Sequence, residues 1–325
     1  MTGLDMALEE ITLVLFTTLA PAGVAAFVLS GLPVAAGRVA DAARDRLDKM
    51  AVLPLVVAMV GLVASSTHLG NPANALYVFA GVGRSPLSNE VTCGVVFLAL
   101  AGIYWLTAFS ERPRQKPRTV LLVAAMAVGV LFVVAIAFAY SADTIPTWNT
   151  PFVPLSLGLC ALAGGPLLAA LTMRLARCPL VRGAYGLVLV MLSGVAAAGA
   201  TAVFVLQGAV LAETANHLVK ASDLVPGYGV AVAAFAVLAL GGSVIAAVAL
   251  HKGRDEAGGE AQASAAAIGQ QVELAGEAEQ PAASDGAMRW ASAPALVLAL
   301  LLSLAGIFVM RFYFYMSHLT VGLGV

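Results

Sequence analysis

Eight long apolar runs, separated by short polar segments, dominate the pattern of the chain. A helix needs about 20 residues to cross a hydrocarbon core of ~30 Å, because each residue rises about 1.5 Å. Backbone amides in lipid must be hydrogen-bonded within their own segment, so each run predicts a helix. The pattern therefore predicts an all-α fold: one integral membrane domain over residues 1–325 with eight transmembrane helices. The predicted spans are Ile11–Leu32, Ala51–Leu69, Val91–Phe109, Thr119–Tyr140, Pro151–Met173, Ala184–Leu206, Gly229–Leu250 and Ser292–Tyr313.

Lysine and arginine are distributed unevenly between the two sides of this predicted bundle. Of the 17 basic residues, 14 follow the first, third, fifth and seventh spans, and Arg84, Lys220 and Arg311 remain for the other side. Cytoplasmic loops of membrane proteins are enriched in basic residues. The distribution therefore predicts a multi-pass protein of the inner (cytoplasmic) membrane with both termini outside.

Two segments differ in composition from the spans. Residues 251–290 are polar and rich in Ala, Gly and Glu, which predicts a flexible cytoplasmic linker, with a short Ala-rich helix as the alternative. The first ten residues are acidic and lack the basic segment and cleavage site of a removable signal peptide. The first apolar run is therefore expected to be a membrane span.

Composition narrows the function classes. The protein is 61% hydrophobic and 11% charged, against roughly 45–50% and ~25% in soluble domains. No basic tract points to nucleic acid. Cys93, Cys160 and Cys178 are scattered without a CxxC motif, so neither an iron–sulfur cluster nor a metal site is expected. A haem held by two histidines would have to use His68 and His318, and His318 lies beyond its span, so no haem is expected.

The most informative polar residues are His68 and Glu90, which lie at the facing ends of the second and third predicted spans. An ionisable residue at membrane depth is costly and is a functional candidate. Together, an imidazole and a carboxyl could accept two protons from a dihydroxy head group as it loses two electrons. Each also has a simpler interpretation: His68 as a cation near a helix C-terminus, and Glu90 as a first-turn carboxylate with Ser88 or Asn89 as N-cap.

Four further polar residues are predicted on the same side and are candidates for binding the head group. Asn71 follows His68, Ser88 precedes Glu90, Asp143 lies in the turn after the fourth span, and Arg311 ends the last span. Arg311 either extends to the membrane interface or pairs with a carboxylate such as Glu90 or Asp143.

Six short blocks carry a family resemblance, and they occur in order along the sequence. With these blocks the protein resembles the membrane anchor subunit of the dimethyl sulfoxide reductase family, from about the second span to the C-terminus. It has Asn74 where the family often has an arginine, and its last linker is long for the family. The blocks are Ser66–Pro72, Leu87–Glu90, Asp143–Trp148, Gly164–Leu168, Gln207–Ala209 and Tyr315–Gly322.

The resemblance implies a specific function. The family's anchor has no redox centre of its own and holds a four-cluster iron–sulfur subunit and a molybdopterin catalytic subunit at the membrane. It oxidises menaquinol and passes the electrons to the iron–sulfur subunit in anaerobic respiration. The family's quinol-site histidine and glutamate match His68 and Glu90. We therefore expect a menaquinol site near the outer face, with the partner subunits on that face.

Two other functions are compatible with an apolar eight-span protein. A proton-coupled transporter of small solutes also places ionisable residues and helix breaks in the membrane, although no inverted repeat is evident here. A purely structural membrane anchor would need no acid/base pair at all.

Overall fold

The computed structural model describes residues 2–68, 72–111, 114–272 and 292–320, and it gives the backbone alone for residues 72–75, 252–272 and 292. These residues form eleven α-helices, short 3₁₀ helices at Pro72–Gly81 and Pro179–Arg182, and no strand. The α-helices are α1 (Gly3–Glu9), α2 (Ile11–Ala35), α3 (Asp41–Met50), α4 (Val52–Thr67), α5 (Pro86–Thr107), α6 (Gln115–Ala139), α7 (Phe152–Leu175), α8 (Ala184–Glu213), α9 (Ala221–Leu224), α10 (Tyr228–Val272) and α11 (Ser292–Met316).

Eight helices among the described residues are long and apolar enough to cross a membrane, which confirms the predicted all-α bundle. Helices α3 and α4 together form one of these spans. The other seven are α2, α5, α6, α7, α8, α10 and α11. The boundaries differ from the hydropathy limits in one place that matters for function. Helix α5 begins at Pro86, five residues before the predicted start of the span, because Ser85 and Pro86 supply an N-cap and a first helical residue.

The connection after the seventh span begins as a continuation of the helix. Helix α10 continues to Val272, so residues 251–272 are helical and follow the Ala-rich alternative, while residues 273–291 of the predicted linker lie outside the described residues. Alanine, glutamine and glutamate are strong helix formers. A helix begun in the membrane can extend through them without a new nucleation step. At 45 residues, α10 is roughly 70 Å long, more than twice the hydrocarbon thickness.

Helix α2 lies at the centre of the bundle, where it packs against α4, α6, α7 and α11. Small residues allow this close packing. A Cβ added at Gly23 would lie 2.6 Å from the backbone nitrogen of Ala58 in α4, and one at Gly165 of α7 would lie 2.5 Å from Cβ of Ala25. Glycine and alanine at such contacts let membrane helices approach at backbone distance.

One end of the bundle, here called the basic end, is held by a buried ion network. Arg118 Nη2 of α6 lies 2.5 Å from Asp48 Oδ2 of α3, and Arg44 Nε lies 3.5 Å from the same oxygen. The Tyr104 hydroxyl of α5 donates a hydrogen bond to Asp48 Oδ1. Arg44 Nη2 also donates to Thr119 Oγ1 at 2.9 Å. The network therefore joins three helices through one carboxylate that is 2% exposed.

The opposite end is covered by the loop between α6 and α7. Thr147 Oγ1 donates to the carbonyl of Ser317 at 2.6 Å, and the Gln207 amide donates to the carbonyl of Thr147 at 2.9 Å. Thr150 Oγ1 donates to Gln207 Oε1 at 2.8 Å. Helix α1 packs against the same end, with Gly3 in contact with the backbone of α9 and α11. The loop and α1 thus tie the ends of α8 and α11 together.

Replacing Asp48 by alanine should strongly destabilise the fold. The buried Arg118 and Arg44 would lose their compensating charge, and breaking a buried ion pair costs about 3–5 kcal/mol. Chemical unfolding of the purified protein in detergent measures this loss. The matched control is Asp45→Ala, since Asp45 pairs with Arg118 at 3.4 Å but its side chain is 52% exposed. A loss for Asp48→Ala no larger than for the control would contradict the assignment.

Candidate functional site

Glu90 lies in the second turn of α5. The helix begins at Pro86, and the Ser85 side chain is its N-cap, accepting a hydrogen bond from the Ser88 amide at 3.4 Å. The expected cap at Ser88 or Asn89 is therefore wrong, because both residues lie inside the helix. The interpretation of Glu90 as a first-turn carboxylate that stabilises a helix N-terminus loses its geometric basis as well, since the first turn holds no acidic residue.

The Glu90 carboxyl is deeply buried, and one of its two oxygens is unpaired within the described residues. The residue is 1% exposed, and its Oε2 atom has no hydrogen-bond partner among the described residues. A buried carboxylate with neither a cation nor a donor costs several kcal/mol relative to water. No hydrogen bond to Oε2 among the described residues offsets this desolvation free energy. An unpaired carboxyl oxygen at this depth therefore points to a site that a ligand or a proton completes.

His68 is the C-cap residue of α4, at the same end of the bundle as Glu90. Its Nδ1 atom lies 3.1 Å from Glu10 Oε2, just before the start of α2, and the His68 side chain is 43% exposed. Burial raises the pKa of Glu10, and the neighbouring His68 partly offsets this effect. Within the described part of the protein, the histidine thus pairs with Glu10 and forms no ion pair with Glu90.

Two tyrosines complete the surroundings of the carboxyls. The rings of Tyr140, which ends α6, and Tyr315 of α11 lie 5.9 Å apart, edge to face. Burial, followed by Tyr315 and then by Glu90 and Glu10, raises the pKa of Tyr140 well above its ordinary value. Both carboxylates thus act electrostatically on Tyr140, at the end of the bundle where α4 ends and α5 begins. We refer to Glu10, His68, Glu90, Tyr140 and Tyr315 as the carboxyl–tyrosine cluster.

Glu10 and Tyr140 were not predicted as site residues from the sequence. A signal for Glu10 existed: the pair Glu9-Glu10 directly precedes the first apolar run, at the same end of the bundle as His68. Tyr140 gave a weaker signal, because a tyrosine at the end of a span is ordinarily an interfacial residue. Only the packing of α6 beside α2 and α5 brings Tyr140 into the cluster.

Three of the other predicted binding residues have different positions. Ser88 is buried, 5% exposed, two residues before Glu90. Asp143 is exposed in the loop after α6, where it accepts a hydrogen bond from the Asn149 amide at 3.0 Å. Asn71 lies outside the described residues. Ser88 is therefore a sequence neighbour of Glu90 in α5, and Asp143 forms a hydrogen bond within its own loop.

Arg311 is fully buried, at 1% exposure, and does not extend to the interface. Its Nη2 atom donates to Ser156 Oγ of α7 at 3.1 Å, and its guanidinium lies 5.5 Å from the centre of the Phe314 ring. Nε and Nη1 have no hydrogen-bond partner among the described residues. In this part of the protein Arg311 forms no ion pair with Glu90 or Asp143, because its side chain points towards α7.

Comparison with known proteins identifies the family. The sequence model of one family, described as the DMSO reductase anchor subunit (DmsC), matches residues 4–265. This chain belongs to that family. The anchor subunit is therefore a multi-pass membrane protein, as its eight apolar helices indicate, and the predicted family is confirmed.

Curated relatives agree with the family match. The anchor subunit is 36% identical over 220 residues to the anaerobic dimethyl sulfoxide reductase chain YnfH of Escherichia coli (strain K12), an alignment that spans 68% of this protein and 76% of the relative. It is 34% identical over 222 residues to a second anaerobic dimethyl sulfoxide reductase subunit of the same strain, with the same coverage. An anaerobic dimethyl sulfoxide reductase subunit of Haemophilus influenzae is 32% identical over 162 residues, which span 50% of this protein and 58% of the relative.

The unpaired Glu90 Oε2 atom predicts an unusual stability effect. Glu90→Gln keeps the side-chain volume and removes a buried charge, so we expect the free energy of unfolding in detergent to stay the same or to rise. Asp48→Asn is the matched comparison, because that buried carboxylate has three partners and the variant should lose several kcal/mol. Equal losses in the two variants would mean that Glu90 contributes to packing rather than to a binding site.

Proposed function

We propose that this anchor subunit oxidises menaquinol at the carboxyl–tyrosine cluster and passes the electrons to an iron–sulfur subunit of a dimethyl sulfoxide reductase complex. The observation that carries the proposal is the buried Glu90 carboxyl, whose Oε2 atom lacks a partner among the described residues. Membership of the DMSO reductase anchor family supports the wider setting. The partners we propose are a four-cluster iron–sulfur subunit and a molybdopterin catalytic subunit.

The chemistry requires two proton acceptors. A quinol becomes a quinone by losing two protons and two electrons, and each hydroxyl must transfer its proton to a base as the electrons leave. The unpaired Glu90 Oε2 is one acceptor. Since the quinol is lipid-soluble, it reaches this depth from the bilayer, and the buried surroundings of Glu90 exclude competing water from the reacting hydroxyl.

His68 is the second proton acceptor, and Glu10 determines which of its nitrogens accepts the proton. Because Nδ1 lies 3.1 Å from the Glu10 Oε2 atom, the carboxylate favours the tautomer of a neutral imidazole that carries its proton on Nδ1, which leaves a lone pair on Nε2. The carboxylate then stabilises the imidazolium after proton transfer, as in other carboxylate–histidine pairs. Because His68 is partly exposed, it can release the proton to water. Glu10 is thus a positioning residue.

The cluster end faces outwards in this proposal. The basic end contains Arg44, Arg118 and the arginine-rich connections between helices. Connections rich in arginine are typical of the cytoplasmic side of a membrane protein. Protons from the quinol are then released outside, where a reductase on the same side takes up protons to form its products. The cycle therefore moves electrons without building a substantial proton gradient.

Substitution of either acceptor should stop quinol oxidation without preventing assembly. In membranes that hold the assembled complex, His68→Ala and Glu90→Gln should each lower menaquinol-driven reductase turnover about a hundredfold, the usual contribution of an acid/base group. Turnover driven by a reduced viologen dye, which supplies the catalytic subunit directly, should stay at the parental rate. His217→Ala is the matched control, since His217 is exposed at the same end. Unchanged menaquinol turnover in assembled variants would leave the protein a structural anchor only.

Glu10→Gln tests the positioning role separately. The amide keeps the size of the side chain and a polar oxygen beside Nδ1, but it carries no charge to stabilise an imidazolium. We expect a fall of about tenfold in kcat for menaquinol with an unchanged KM. The neighbouring exposed residue provides the control, Glu9→Gln. An equal loss of kcat in Glu9→Gln, or a raised KM with kcat unchanged, would contradict the role of Glu10.

A further inference from the structure

A cavity at the basic end is lined by four arginines. It has a volume of ≈ 290 Å³ and lies between α3, the end of α7, the 3₁₀ helix Pro179–Arg182 and the first turn of α11. None of the residues of the carboxyl–tyrosine cluster lines it, and the proposed quinol chemistry does not use it. The arginines are Arg46, Arg174, Arg177 and Arg182.

Several of these side chains are held in place by the fold. Arg46 Nε donates to the carbonyl of Ala176 at 3.0 Å, which ties α3 to the end of α7. Arg174 is buried, at 8% exposure. Arg177 has a φ of 54°, a left-handed conformation that favours glycine over side chains of ordinary residues. An arginine at this strained position places a cation in the cavity at the expense of local backbone energy.

The charge of the cavity is strongly positive. The C-terminus of α7 carries a partial negative charge of about half a unit, which offsets only a fraction of the charge of Arg46, Arg177 and Arg182. Among the residues that the structure describes, no acidic side chain lines the cavity. The acidic residues in the second half of α3, Asp45 and Asp48, are paired with Arg118. The first turn of α11, through Ala293, adds the positive end of a helix dipole. The cavity therefore favours an anion.

A second, largely apolar groove starts at the same 3₁₀ helix, and His251 is among its lining residues. It runs between α8 and α10 and begins at Val181 and Gly183, the sequence neighbours of Arg182. Leu187 and Val190 line one wall, and Leu250 lines the other. An arginine cavity next to an apolar groove matches a molecule with an anionic head and a hydrocarbon tail. A free phosphate ion would use only the cavity.

We propose that this region binds an anionic phospholipid, with its phosphate among the arginines and an acyl tail along the groove. Guanidinium groups bind phosphate oxygens through paired, charge-assisted hydrogen bonds. Basic pockets between membrane helices on the cytoplasmic side are suited to such head groups. The lipid would hold α3, α7 and α11 together at the end of the bundle away from the carboxyl–tyrosine cluster.

The test is a binding titration of the purified full-length protein in dodecyl maltoside, followed by native mass spectrometry. The probes are dioleoyl phosphatidylglycerol, dioleoyl phosphatidylcholine and inorganic phosphate. We expect the anionic lipid to bind at least about tenfold more tightly than the zwitterionic lipid. The double variant Arg177→Gln/Arg182→Gln should lose this preference. The control Arg38→Gln/Arg114→Gln removes the same charge from exposed positions outside the cavity and should keep it.

A second variant guards against a loss of folding. Arg177→Gly relieves the left-handed backbone while it removes one guanidinium, so the protein should unfold no more easily than the parent and yet bind phosphatidylglycerol more weakly. Equal binding by parent and variants, or equal binding of the two lipids, would overturn the proposal. Inorganic phosphate that displaces the lipid completely at comparable concentration would reduce the region to a simple anion site and overturn the assignment to a phospholipid.

Discussion

The structure depends on the absence of water from the hydrocarbon layer. Backbone amides must then be satisfied inside each segment, which makes every span a helix and leaves side chains to differentiate one helix from another. Small residues set the distances between helices, as at Gly23 and Gly165. Charged side chains gather at the two ends of the bundle, and the middle is mainly apolar with a few buried hydroxyl groups such as Ser193 and Ser243. The two ends are therefore free to serve different purposes.

The contrast between two buried carboxyls shows how the ends differ. Asp48, at the basic end, has two arginines and a tyrosine hydroxyl as partners, so its burial is compensated by the groups that it holds together. Glu90, at the opposite end, is as deeply buried, and its Oε2 atom has no partner among the described residues. A buried charge that is paired holds its helices in fixed relative positions. A buried carboxyl oxygen without a partner can instead gain a hydrogen bond when a ligand binds. This difference separates a structural residue from a candidate for catalysis more clearly than depth alone.

The sequence predicted the fold better than it predicted the site, for a physical reason. Hydropathy shows where each helix enters and leaves the membrane, so the eight spans and the similar predicted depth of His68 and Glu90 could be derived. It does not show which helices are neighbours in the plane of the membrane. The pairing of His68 with Glu10, the approach of Tyr140 and the turn of Arg311 towards α7 depend on which helices are neighbours. The early start of α5 at Pro86 was within reach, since Ser85-Pro86 is an ordinary helix start.

The contact of Gly3 with Met316 in α11 has a consequence for biogenesis. A ribosome synthesises roughly 5–20 residues per second, so more than 300 residues and about 15–60 s separate the two halves of this contact. During that interval the central helix α2 is in the membrane without α11, one of its packing partners. The bundle can close only after the last span has been inserted. A nascent polypeptide that stalls before α11 would therefore expose an unfinished helix face to other proteins of the membrane, including those that degrade incomplete products.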